Sequence, residues 1–340
     1  MEPLPSVAGL PFSFGRFTVT LAPEQPLRLP PYAGGMFRGA FGLALQRVVC
    51  VTRTFECAPC ALRDRCIYPY VFETPPPSST RVMRKYPAAP HPFVLEPPEP
   101  GGTVLPAGRP FPVGLTLVGK ALRYLPHFVS AFEQAGQVGL GSRRVRCGVR
   151  AVEAGRDGRR WTLYSAEDRV FRAADPFEEH LRLELSAPER DGEPGAPSRV
   201  SLTLLTPLRI VYEERLSGDL PFHVLIRSLL RRLAHLSYFH CGGDPRTVAF
   251  RDWIASARGV RVAEHALAWR DWERYSSRQQ TTMTLGGLVG TVTYAGHLAP
   301  FLPLLRLGQV IHAGKGTSFG LGRYRLAEDG SSAGGAEPAG

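Results

Sequence analysis

Long apolar runs are missing from this chain, and lysine is scarce. No stretch approaches the ~20 apolar residues that a membrane helix needs, so no membrane partner is expected. Met1 to Leu10 lacks a basic start followed by an apolar block, so no signal peptide is expected. No run clusters Asp and Glu as a Mg²⁺ site would need, which leaves a metal-dependent nuclease a distant alternative that acids far apart in sequence would have to build, and no catalytic metal is expected. Lysines are few, Lys85, Lys120 and Lys315 among them. Yet Lys plus Arg total 41 against 30 acids, a net charge of +11 carried by arginine. Arginine binds phosphate through a planar fork and stacks on bases, so this surplus suits nucleic acid. A GC-rich genome also favours arginine codons, but does not explain the positive sign. Cysteine is confined: four of six lie between Cys50 and Cys66, with Cys147 and Cys241 apart. A disulfide scaffold would spread its cysteines through a small secreted domain. A reducing, cytoplasmic compartment is expected instead.

What is present reads as two similar halves. The 340 residues suit two domains, and 44% apolar content is ordinary for a globular protein. In the second half, 201–212 is strand-like. Phe222 to His240 is an amphipathic helix with Phe222, Leu225, Ile226, Leu229, Leu230, Leu233 and Leu236 on one stripe. Arg227, Arg231, His235 and Tyr238 lie roughly opposite. Strand character returns at 260–275 and 281–294. A helix is expected at 298–311, then a glycine-rich stretch and a strand at 323–327. The order β-α-β-β-α-β is the ferredoxin-like arrangement.

The first half repeats it: strand 12–21, helix 35–49, strands 93–95 and 111–118, helix 122–135 and a basic strand 143–152 carrying Arg143 and Arg144. Gly139-Leu-Gly141 and Gly320-Leu-Gly322 occupy the same place in the two halves. The expectation is an α+β protein of two tandem ferredoxin-like (RRM-like, βαββαβ) domains. They span 1–190, with a Cys-rich insertion at 50–91, and 199–327. A Pro- and Gly-rich linker is expected at 187–198 and a low-complexity tail at 328–340.

Ile311 to Tyr324 (IHAGKGTSFGLGRY) is the most informative segment. Glycines let backbone amides approach a phosphate, while Lys315 and Arg323 add charge. Phe319 can stack on a base or pack in a core. A nucleotide P-loop is excluded: Gly316 follows Lys315 where Ser or Thr is needed, and the loop runs from helix to strand. The expected RNA contacts are Gly314, Lys315, Gly316, Thr317, Ser318, Phe319, Gly320, Gly322 and Arg323. Arg227, Arg231, Arg143 and Arg144 join them, although a solvated face is the alternative for the helical pair.

Cys50, Cys57, Cys60 and Cys66 have the spacing C-x6-C-x2-C-x5-C. Four thiolates in so short a segment suit a closed, structural tetrahedral Zn²⁺ site. An iron–sulfur cluster or an unmetallated cluster are the alternatives.

The glycine-rich segment resembles the C-terminal motif of the CRISPR-associated repeat-RNA (pre-crRNA) processing endoribonucleases of the RAMP superfamily. The resemblance extends to 287–307, to the helix 222–241, and to the region 32–66. It implies two RRM-like domains that bind a CRISPR repeat RNA. It also implies metal-independent cleavage by the ribose 2′-OH, leaving 2′,3′-cyclic phosphate and 5′-OH ends. Such chemistry needs a base, an acid and a cation; histidine suits the first two and Lys or Arg the third. Relatives carry a histidine on the first helix, but Met36 to Leu45 has none. His312, beside the glycine loop, is the first substitute. His240, beside Tyr238, is the second, and Lys315 is the cation. The alternative is a non-catalytic RNA-binding subunit working with other subunits of a CRISPR effector complex.

Overall fold

The computed structural model describes residues 9–80, 82–83, 88–156, 159–172, 177–183, 185, 198–213, 215–216, 218–271, 273–276, 281–284 and 286–328. The expected linker at 187–198, apart from Ser198, and the expected tail beyond Glu328 lie outside them. Two compact units form. One comprises Met1–Glu184, Arg232–Thr247 and Thr317–Gly320; the other comprises Leu185–Arg231, Val248–Gly316 and Leu321–Gly340. No helix among the described residues is long and apolar enough to cross a membrane.

The first unit is built on strand β1 (Leu10–Pro23), helix α1 (Gly34–Val49), strands β2 (Phe93–Glu96) and β3 (Phe111–Val118), helix α2 (Leu125–Val138) and strand β4 (Cys147–Arg156). Its antiparallel sheet runs β2-β3-β1-β4, the ferredoxin-like order. β5 (Arg159–Ser165) extends the edge beside β4, and β6 (Glu179–Leu183) pairs with the start of β1. Phe17, Val19 and Leu21 alternate toward the helices, as a half-buried strand requires. The alternation changes phase at Gly15–Arg16, so Phe12 and Phe14 are buried outside that core.

α1 has no side-chain N-cap and no acid in its first turn, so packing rather than local propensity holds it. Phe41 is the anchor: its ring lies 4.9 Å from Phe128, 5.4 Å from Phe132 and 5.7 Å from Phe93. Burying an aromatic of this size stabilises by roughly 1.5–3 kcal/mol.

The second unit contains strand β7 (Arg199–Leu208), α4 (Phe250–Ala257), strands β8 (Arg261–Arg270) and β9 (Gly287–Ala295), helix α5 (Leu302–Ile311) and strand β10 (Tyr324–Glu328). Between β7 and α4 comes helix α3 (Phe222–Leu236). The sheet order β8-β9-β7-β10 repeats that of the first unit, again fully antiparallel. The α3 stripe expected from sequence is buried. Phe222 meets Tyr294 and Phe301 at ring distances of 4.9 and 5.0 Å.

Several boundaries differ from expectation. α3 ends at Leu236 and continues as a π-turn, Ser237–Cys241, closed by left-handed Gly242. α4 was not expected; its eight residues show too short a period to stand out. Arg143 and Arg144 lie in a tight exposed turn before β4, not on a strand. Gly139 explains the turn: a Cβ there would stand 2.2 Å from the Arg144 carbonyl oxygen.

Candidate nucleic-acid interface

The glycine segment divides between the units, and each part does a different job. In the second unit α5 ends at His312, which takes a left-handed φ of 61°. The loop then folds on its own backbone. Ala313 N donates to Gly322 O at 3.0 Å, Lys315 N to Arg209 O at 2.8 Å, and Gly322 N to Pro207 O at 2.9 Å. A Cβ on Gly322 would stand 1.9 Å from Ala313 O, and one on Gly314 2.3 Å from Arg209 O. These glycines therefore serve close backbone approach within the protein. The expectation that the segment offers its amides to phosphate fails at Ala313, Lys315 and Gly322, whose amides are already used. Gly316, also at positive φ, faces the Leu321 side chain. The Lys315 side chain projects as an exposed cation. Arg323 is half-buried, its amide donating to Thr206 Oγ1 at 2.9 Å.

In the first unit, Thr317–Gly320 forms a short helical turn whose Gly320 amide donates to Thr317 O at 2.9 Å. It sits against the start of α1. Tyr32 donates its hydroxyl to Phe319 O at 2.5 Å, and a Cβ on Gly34 would stand 2.0 Å from that same oxygen. Arg38, one turn along α1, meets the segment with its whole guanidinium. Its Cζ lies 4.2 Å from the Phe72 ring centroid and 4.4 Å from that of Phe319, and Nε donates to Ser318 Oγ at 3.0 Å. A guanidinium between two aromatic faces is held by cation–π attraction and can hardly turn.

Nη2 of Arg38 donates to His91 Nε2 at 3.2 Å. Guanidinium only donates, so Nε2 accepts and Nδ1 carries the proton, given to Thr74 Oγ1 at 2.5 Å. Burial lowers the His91 pKa to about 3, with the Arg38 charge adding to it. Thr74 sits at a left-handed φ of 53° and is tied to this stretch through its carbonyl, which accepts from Ala89 N at 2.8 Å. The constellation Arg38–His91–Thr74–Ser318–Phe319 was missed from sequence. Arg38 stands on the helix where the family resemblance leads one to expect a histidine, and that is the available signal.

The two expected catalytic histidines are both buried. His312 is wholly inside, with Nδ1 donating to Leu321 O at 3.1 Å. His240 donates from Nε2 to Pro90 O at 2.8 Å and accepts from the Tyr70 hydroxyl at Nδ1 at 3.2 Å. Burial lowers its pKa to about 4, despite the Pro90 bond, and raises that of Tyr70. A Cβ on Gly119 would stand 2.2 Å from the His240 carbonyl oxygen, so backbone closes over this residue too. Tyr238 is half-buried and its hydroxyl accepts from Thr80 Oγ1 at 3.4 Å. Arg227 and Arg231 are exposed on α3 in the second unit, and Arg143 and Arg144 are exposed in the first.

The zinc expectation is corrected. Among the described residues no three His, Cys, Asp or Glu groups converge to hold an ion. Cys50, Cys57, Cys60 and Cys66 do line one small cavity of about 30 Å³ with Gln46 and Tyr68. Two of the sulfurs have local partners. Cys50 Sγ lies 3.6 Å from Thr52 Oγ1, and its pKa is lowered by that bond first. Cys57 Sγ accepts from Gln46 at 3.6 Å, while burial raises its pKa. Cys50 is the C-cap of α1, its amide donating to Gln46 O. The residues expected as an insertion also supply core: Tyr68 and Val71 are buried and Phe72 flanks Arg38.

Comparisons with known proteins agree with this architecture. Residues 10–176 match the AF_1859_N N-terminal domain model, and residues 202–324 match the model of the CRISPR-associated endoribonuclease Cas6. An uncharacterized protein of Archaeoglobus fulgidus is 25% identical over 312 residues, 88% of this chain and 92% of that one. In fold, the chain is similar to a Thermus thermophilus Cas6 in a product complex, with a TM-score of 0.53 at 16% identity, over 92% of this chain and 100% of that one. It is also similar to a chain of a partial Cas6-RT-Cas1–Cas2 complex, with a TM-score of 0.55 at 13% identity, over 96% of this chain and 47% of that one. Residues 202–324 thus carry a CRISPR-associated endoribonuclease Cas6 domain, in a chain whose two units each have the ferredoxin-like sheet order.

Proposed function

We propose that this protein binds a CRISPR repeat RNA and cuts it by metal-independent transesterification. The ribose 2′-oxygen attacks the adjacent phosphorus, the 5′-oxygen leaves, and the products carry a 2′,3′-cyclic phosphate and a 5′-OH. The observation that carries the reading is Arg38, clamped by Phe72, Phe319, Ser318 and His91 beside the glycine segment. A cation fixed before the reaction stabilises developing phosphorane charge without reorganising, which is the larger share of catalysis in such sites. Lys315, exposed on the loop, is the second cation for RNA. His91 is a positioning residue here: neutral and buried, it orients Arg38. The Thermus relative held in a product complex, and the relative assembled with Cas1–Cas2, support RNA and other CRISPR subunits as partners.

One observation favours a second reading. His312 and His240 are buried and already hydrogen-bonded, so either could act as base or acid only after local opening. On this reading the protein holds repeat RNA without cutting it. Single-turnover incubation with repeat RNA in EDTA separates the two. Products ending in cyclic phosphate support the enzyme; a gel shift with intact RNA supports the binding subunit. In the same assay Lys315→Glu should weaken RNA binding about tenfold or more near physiological salt. Unchanged affinity and salt sensitivity in that variant count against RNA contact at the loop.

A further inference from the structure

The second unit holds a basic groove that the reading above does not use. Arg227 and Arg231 lie one turn apart on α3. Arg251 lies in the first turn of α4 and Arg258 is its C-cap, two turns on, with Ile254 and Ala255 between them. Tyr212 and Phe250 complete a cavity of about 460 Å³. That is within the ~300–1,000 Å³ of ligand sites. All four arginines are exposed, and among the described residues none is in an ion pair; no acid lines the groove. Asp219 and Glu213 act on His223, and Asp252, in the first turn of α4, is exposed.

We propose that this groove binds a single-stranded stretch of RNA, the guanidinium groups holding successive phosphates and the two rings offering faces for unpaired bases. Four like charges around one space repel each other unless a polyanion lies between them. Arginine forks match phosphate oxygens two at a time. The rings favour nucleic acid over a free phosphate. Tyr212 already carries the Arg227 guanidinium 5.4 Å from its centroid, in the manner of a stacked cation. The strand would come from RNA flanking the repeat, so this deepens the RNA-binding reading by adding a second, sequence-tolerant contact.

The test uses the full chain and a labelled uridine oligonucleotide about 12 nucleotides long, within the usual span of such sites. The double variant Arg251→Glu/Arg258→Glu changes exposed side chains only, and a melting curve checks that it folds. We expect its affinity to fall about tenfold near physiological salt. Its log–log salt slope should shrink by about 1.4, two phosphates at ~0.7 each. Unchanged affinity and slope overturn the proposal. A polyglutamate peptide bound as tightly as the oligonucleotide, and lost in the same variant, overturns it in favour of an acidic protein partner. Oligonucleotide affinity unchanged in the variant, with wild type still preferring the repeat, sinks the groove but spares the repeat-binding reading. Oligonucleotide binding lost in the variant, with no preference of wild type for the repeat, sinks that reading and spares the groove.

Discussion

His91 and His240 show what burial does to a titrating residue. In the folded chain their pKa values lie at about 3 and about 4, each lowered chiefly by desolvation. In the unfolded chain each returns to ~6.5. Below that value the unfolded state takes up protons that the folded state refuses, so stability falls as pH falls. It is fully present above pH ~6.5 and drains from there to about 4 for His240 and about 3 for His91, at roughly 1.4 kcal/mol per pH unit for each group once titrating. Urea midpoints at pH 7.5 and at pH 5 should therefore differ clearly, in favour of the higher pH. Replacing both histidines with Gln should flatten the profile; a profile equally steep in that variant assigns the acid sensitivity elsewhere.

At the scale of elements, α1 carries the argument because one helix bears two glycines in opposite surroundings. At Gly34 an added methyl would meet Phe319 O at 2.0 Å and the Tyr32 ring at 2.7 Å. At Gly39, in mid-helix, it would meet nothing within 4 Å. Gly39→Ala should stabilise by about 0.5–1 kcal/mol, the usual entropic gain in a helix interior. Gly34→Ala should destabilise by about 1–3 kcal/mol, as overpacking does. It should also weaken repeat-RNA binding through the displaced Phe319. Denaturant melts of the two single variants decide this, and equal shifts for both would remove the helix–loop contact from the account. The loop after α5 obeys the same logic: glycine is there because backbone meets backbone at Gly314 and Gly322.

For the whole molecule, a net charge of +11 and exposed arginines at 143, 144, 227, 231, 251 and 258 predict salt-sensitive binding. Raising salt from ~50 to ~200 mM should lower repeat-RNA affinity by about 10³-fold if several phosphates are engaged. A salt-independent affinity measured by filter binding would contradict phosphate recognition. The sequence was most readable where the signal is local. The α3 stripe, the strand alternation and the paired β-α-β-β-α-β order all depend on neighbours a few residues apart, and all appear in the structure. Even α1 was legible, though its packing on Phe93, Phe128 and Phe132 was not.

The amino-acid sequence alone determined the element order, the excess of arginine and the glycines at the C-terminal loop, because periodicity, charge and φ preference are properties of short windows. Tertiary structure alone decided that Arg38 meets Ser318, 280 residues away, that His312 and His240 are sealed, and that four closely spaced cysteines line one small cavity. Those outcomes depend on which distant surfaces close on one another, and a buried polar group finds its partner only after the chain has folded back.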